Sequence, residues 1–141
     1  MSSTKILFLC VHNSARSQMA EAYMKKIGGS RFEVHSAGLE PGQLNPLAIE
    51  VMKEEGIDIS GNNTKDVFEM HRKGFQFDYV ITVCDKDASD RCPVFPGVHQ
   101  KIHWSFPDPS ALNGSPAENM AATRIIRDTI KHAVTDLAAS L

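Results

Sequence analysis

The segment Lys5-Ile-Leu-Phe-Leu9 runs into Cys10-Val-His-Asn-Ser-Ala-Arg16-Ser17 and then directly into Gln18-Met-Ala-Glu-Ala-Tyr-Met-Lys-Lys-Ile27. A short apolar run, a tight polar loop and a helical stretch in that order require a buried strand that feeds straight into a helix. The alternation continues along the chain. Phe32-Glu-Val-His-Ser36 alternates as a second strand ending at Ala37-Gly38, and Asn45-Pro46 opens a helix with Leu47, Val51 and Met52 on one face, stopping at Gly56. A short helix or turn covers Thr64 to His71. Phe77 to Cys84 is a strongly apolar strand, and Lys101-Ile-His-Trp104 is a shorter one. Ala122, Ile126, Ile130, Ala133 and Leu137 mark one face of a long final helix that starts near Pro116. This order predicts an α/β fold: a four-stranded parallel sheet, strand order 2-1-3-4, with helices on both faces. With 141 residues the chain is expected to form one domain, 1–141.

In such a sheet the carboxyl ends of strands one and three lie side by side at the switch point, where open α/β sheets bind ligands. Cys10 and Cys84 both end those strands, so two thiols are predicted on one rim. The loop from Val11 through His12, Asn13, Ser14 and Ala15 to Arg16 and Ser17 is suited to an oxyanion. Its amides turn inward, the helix start adds about half a positive charge, and Arg16 offers a planar fork. The same field favours a thiolate at Cys10, so nucleophile and anion cradle share one loop.

Other residues carry two readings each. Asp108, stiffened in Phe106-Pro-Asp-Pro109, is either the acid that protonates a leaving oxygen or a plain surface turn residue. Ser17 is suited to donate to the Cys10 sulfur, to cap the first helix, or to do both. Asn13 either braces the loop or is a turn residue tolerating a left-handed backbone. Cys84 reads as a small buried hydrophobe or as a second thiol. Cys92, among Asp90, Arg91 and Pro93, lies in a segment too polar for core. No Cys-x2-Cys pair exists, which argues against zinc despite three Cys and six His.

Electron counting separates two chemistries that share this loop. Hydrolysis of a phosphate ester needs one cysteine, an arginine and an acid. Two-electron reduction of an oxyanion needs two thiols that end as a disulfide, and a third thiol lets that disulfide pass to the surface by exchange. The net charge of −2, without a basic stripe, argues against nucleic acid as a partner. The first apolar run is too short for a signal or a membrane span, so a cytoplasmic protein with reduced cysteines is expected, and a monomer is the simplest assembly.

The chain resembles the arsenate reductases of the low-molecular-weight phosphotyrosine phosphatase fold, in their thioredoxin-coupled branch. The likeness rests on Phe8-Leu-Cys10-x-x-Asn13-Ser-x-Arg16-Ser-Gln-Met-Ala-Glu21, Ser36-Ala-Gly38, Leu44-Asn-Pro46, Gly56-Ile-Asp-Ile-Ser60, Val83-Cys84, Cys92-Pro93 and Trp104-x-Phe-x-Asp108-Pro109. It implies that Cys10 attacks arsenate, for which phosphate or sulfate are mimics. Arg16 and the loop amides then hold the oxygens, and Asp108 protonates the departing one. Cys84 would next attack Cys10 and release arsenite, Cys92 would attack Cys84, and thioredoxin would reduce the Cys84–Cys92 disulfide. No tightly bound cofactor is implied, but some members hold a potassium ion through residues matching Asn13, Glu21, Ser36 and Asp66. Three departures stand out: Ala15 replaces a further cysteine of many members, the Cys84 to Cys92 segment is about one residue longer, and one residue is inserted near Gly61. The alternative is a phosphotyrosine phosphatase using Cys10, Arg16 and Asp108 alone. Against it, Ser110-Ala-Leu-Asn113 follows the acid where such phosphatases place aromatic residues.

Overall fold

A computed structural model describes residues 3–83 and 90–141 of the chain. Cys84 lies outside the described residues. The described elements are β1 (Thr4–Cys10), α1 (Arg16–Gly28), β2 (Phe32–Gly38), α2 (Pro46–Glu54), α3 (Val67–Arg72), β3 (Tyr79–Thr82), β4 (Gln100–His103) and α4 (Pro116–Ser140), with short 3-10 turns at Gly29–Arg31 and Pro109–Ala111. All described strand pairs are parallel and the order is β2-β1-β3-β4, as the alternation of elements predicts.

β1 is continuously apolar because it is the inner strand, paired with β2 from Thr4↔Phe32 to Cys10↔Gly38 and with β3 from Ile6↔Tyr79 to Leu9↔Thr82. Ile6, Leu7, Phe8 and Leu9 are completely buried, so both faces of the sheet are covered. On one face Phe8 meets Trp104, and α1 packs against α4. On the other, His35 and Val80 flank Leu7, under Phe75, Phe77 and Phe95. His71 of α3 stacks edge-on against Phe95 there.

Helix starts follow their caps. Asn45 Oδ1 accepts from Leu47 N at 2.7 Å with Pro46 first in α2, and Asp66 Oδ1 accepts from Phe68 N at 2.8 Å to start α3. Ser115 and Glu118 form a reciprocal capping box at the head of α4. Two helix faces differ from expectation. Ala48, rather than Leu47, joins Val51 and Met52 in the core, and α4 buries Thr123, Ile126, Arg127, Ile130, Val134 and Ala138. The buried stripe of α4 sits beside the predicted one because the Arg127 stem is packed inward while its guanidinium donates to Val51 O and Glu54.

Candidate active site

The loop between β1 and α1 is held from outside. Each carbonyl from Cys10 to Ala15 accepts a hydrogen bond: Cys10 from Leu39 N, Val11 from Glu40 N, His12 from Gly42 N, Asn13 from the Gln18 side chain, Ser14 from Asn45 N, and Ala15 from Met19 N. Peptide planes whose oxygens all face outward present their N–H groups to the interior of the loop. Asn13 has φ 54, the left-handed turn that lets the chain close around that interior. Ala15, the residue before α1, brings no capping side chain, which leaves the first-turn amides to the loop.

Cys10 is buried at the end of β1. Its sulfur accepts from Asn13 N at 3.1 Å and lies 3.0 Å from Ser17 Oγ. Ser17 does not cap the helix; it is the second residue of α1 and turns its hydroxyl to the sulfur. The direction of that bond follows from its neighbours. Glu21 accepts the Ser36 hydroxyl, so the Ser36 oxygen accepts from Asn13 Nδ2 at 2.9 Å. The same amide group donates to Ser17 Oγ at 2.8 Å, which leaves the Ser17 hydrogen for the Cys10 sulfur. Asn13 is thus both turn residue and brace.

Arg16 and Asp108 close the open side. Arg16 Nη2 lies 3.5 Å from Asp108 Oδ2, and Nη1 donates to Phe106 O at 3.2 Å. The Asp108 side chain is about one-third exposed and Arg16 about one-eighth, so the acid stands at the mouth and the guanidinium within it. Asp108 Oδ1 accepts from Ser110 N at 2.9 Å, and Asn45 Nδ2 donates to Ser110 Oγ at 2.8 Å. Asn45 therefore ties the acid turn to the Ser14 carbonyl of the loop. Nothing in the sequence beyond the Leu44-Asn-Pro46 match pointed to this tie, because the three segments are far apart along the chain.

Cys92 is half-buried and packs against the edge of the core. It lines a small pocket with Val80, Val94, Phe95 and Val98, and its thiol donates to Pro93 O at 3.3 Å. Burial pushes the Cys92 thiol up from its ordinary range, partly offset by Lys101. Beside it, Val94 is 87% exposed. Arg91 reaches to 3.7 Å from Glu40, on the segment that clamps the loop.

Among the described residues no three His, Cys, Asp or Glu gather as a metal site. The potassium set divides. Asn13, Glu21 and Ser36 meet, but Asp66 Oδ1 caps α3. Asn13 Oδ1 accepts from Gln18 Nε2 and Lys65 N, both at 3.0 Å, so the amide presents N–H groups to Ser36. Glu21 already faces two ammonium groups, Lys25 at 2.5 Å and Lys65 at 3.6 Å. This arrangement does not fit a bound potassium ion.

A parallel sheet with a Cys-x5-Arg loop at its switch point and an Asp-Pro acid turn over it defines a class of anion-handling enzymes. The chain belongs to the low molecular weight phosphotyrosine protein phosphatase family, whose pattern matches residues 5–141. Its relatives there include the arsenate reductase of Bacillus subtilis, 41% identical over 138 residues that cover 98% of this chain and 97% of that protein. A solved arsenate reductase in its phosphate-binding state superposes with a TM-score of 0.78 at 31% identity, covering 97% of this chain and 98% of that one. A thioredoxin-dependent arsenate reductase of Corynebacterium glutamicum superposes with a TM-score of 0.75 at 31% identity over 98% of this chain, which spans 61% of that longer protein.

Proposed function

We propose that the chain is an arsenate reductase that works by a three-thiol relay and serves arsenic detoxification in the cytoplasm. The observation that carries this reading is the Cys10 sulfur seated under Asn13 N and Ser17 Oγ, inside a loop whose carbonyls all face away. A tetrahedral oxyanion fits that interior, with Arg16 forking two of its oxygens.

The Cys10 thiolate attacks arsenic and forms an S–As bond while one oxygen departs, protonated by Asp108. Cys84, as thiolate, then attacks the Cys10 sulfur. The S–As electron pair passes to arsenic, arsenite leaves, and a Cys10–Cys84 disulfide remains. Cys92 attacks Cys84 and frees Cys10, and a dithiol protein of the thioredoxin type reduces the Cys84–Cys92 disulfide. Support for the Cys84 step is the family likeness and the course of β3, whose continuation Val83 donates to Leu9 O at 2.9 Å beside the loop. Support for Cys92 as the outlet is its half-buried place next to exposed Val94. Its pocket lies against Val80 in the middle of β3, so the Cys92 segment has to leave that pocket during the relay.

Purified protein with thioredoxin, its reductase and NADPH tests this by nicotinamide oxidation on adding arsenate. Replacing Cys92 with Ser is expected to abolish multiple turnover while one round of arsenite release survives. Unchanged steady-state turnover in that variant removes the relay. Vigorous hydrolysis of an aryl phosphate without an arsenate response favours the phosphatase, which needs only Cys10, Arg16 and Asp108.

A further inference from the structure

Glu21 is buried at the far end of the hydrogen-bond chain that orients Ser17 toward Cys10. A buried carboxylate has to be matched by positive charge, since leaving it alone out of water is costly. Lys65 meets that need from an unusual position. Its backbone N–H donates to Asn13 Oδ1 at 3.0 Å, its carbonyl accepts from Gly38 N at 2.8 Å, and its ammonium donates to Asn63 O at 3.1 Å while standing 3.6 Å from Glu21 Oε1. One residue thus pins the amide oxygen of Asn13 and, together with Lys25, balances the carboxylate that orders Ser36. Lys25, one helical turn along α1, takes the other oxygen of Glu21 but touches nothing else in the chain of bonds.

We propose that Lys65 is the resident cation of the Cys10 loop: its ammonium stands where a free monovalent ion would balance Glu21, so the loop is set without one. Lys65 is a positioning residue, acting through Glu21, Ser36, Asn13 and Ser17 and not on substrate. Glu21 also borders an open cleft of about 470 Å3 with Lys25, Asp58 and Asn62, so an ion from solution has a path to the carboxylate. The proposal rests on Cys10 being the reacting thiol. Its test uses neither arsenate nor reductant, so its failure is separate from failure of the reductase reading.

The experiment measures the rate of Cys10 alkylation by iodoacetamide, located by peptide mass spectrometry, together with the unfolding temperature, in potassium chloride and in choline chloride of equal ionic strength. The unaltered protein is expected to behave alike in both salts. Lys65→Met is expected to alkylate about tenfold more slowly in choline chloride and to recover in potassium chloride, a loss in the range seen when outer partners of a charged site are removed. Lys65→Arg is expected to remain indifferent to the salt. Three results overturn the proposal: potassium accelerating or stabilising the unaltered protein, Lys65→Met matching it in both salts, or a loss in Lys65→Met that potassium does not restore. If Lys65→Met fails to fold, the two-salt comparison of the unaltered protein and Lys65→Arg still decides, since a potassium response in either refutes the resident cation.

Discussion

Gly38 lies against the backbone of the anion loop so closely that a methyl group on its Cα would stand 2.7 Å from Val11 O and 2.9 Å from Asn13 N. β2 ends there, paired with Cys10, and the chain then turns to give Leu39 N and Glu40 N to the loop carbonyls. Both contacts are backbone, which cannot swing aside as a side chain can. Gly38→Ala is therefore expected to leave the sheet folded while displacing the loop, with kcat/KM for arsenate falling by about 10² or more, the cost of disturbing oxyanion donors. Circular dichroism and steady-state kinetics on the same preparation check both halves of the expectation.

Asn45 couples the acid to the loop through Ser14 and Ser110 while capping α2. Asn45→Ala is expected to cost about 1 kcal/mol of stability as a lost cap. It is also expected to lower kcat by about tenfold, because Asp108 loses its fixed direction and a misplaced group loses rate steeply. Combining Asn45→Ala with Asp108→Ala discriminates: if Asn45 acts through Asp108, the double variant is hardly worse than Asp108→Ala alone.

Burial of Cys92 gives the proposed relay a pH signature by which it is tested. A thiol whose range is raised is protonated at neutral pH, and only the thiolate attacks a disulfide. Multiple turnover is expected to rise with pH above neutrality, by up to about tenfold per unit while the thiolate is the minor form. The single round of arsenite release, which in the proposed relay does not use Cys92, is expected to lack that rise. Stopped assays at several pH values with and without thioredoxin separate the two.

The α2–α4 contact carries an acid-sensitive element. Hydrogen bonds from Arg124 first, and then from Arg127, hold Glu54 below the usual carboxylate range. A carboxylate lowered in the folded state adds stability that is present above the ordinary Glu range, about 4.3, and is lost as pH falls through its folded value. Glu54 is exposed, so solvent screening keeps its contribution small. The unfolding temperature is expected to fall below about pH 4.5 less steeply in Glu54→Gln than in the unaltered protein, as followed by thermal melts from pH 7 to pH 3.

Much of the architecture was legible along the chain because its signals are local. The apolar run before Cys10, the loop, and the helix after it are contiguous, and alternation of strand and helix leaves few arrangements besides 2-1-3-4. Cys10, Arg16 and Ser17 share one short loop whose chemistry can be read from residue type and order. Asp108 was legible as a stiffened carboxylate, but its 3.5 Å approach to Arg16 was not. The half-burial of Cys92 against the edge of the core is not signalled by the polar residues around it in sequence. In space it shares the lining of a small pocket with Val80, Val94, Phe95 and Val98.

What the sequence determined alone is the order of elements and the candidate loop of Cys10, Arg16 and Ser17, since backbone periodicity and side-chain chemistry travel with neighbouring residues. Tertiary structure decided the rest: which amides turn the loop carbonyls outward, that Asn45 bridges loop and acid, that Lys65 reaches Glu21, and how deeply Cys92 is buried. These pairings join segments far apart in the chain. Their energies depend on distance and burial in the folded state, which no local pattern encodes.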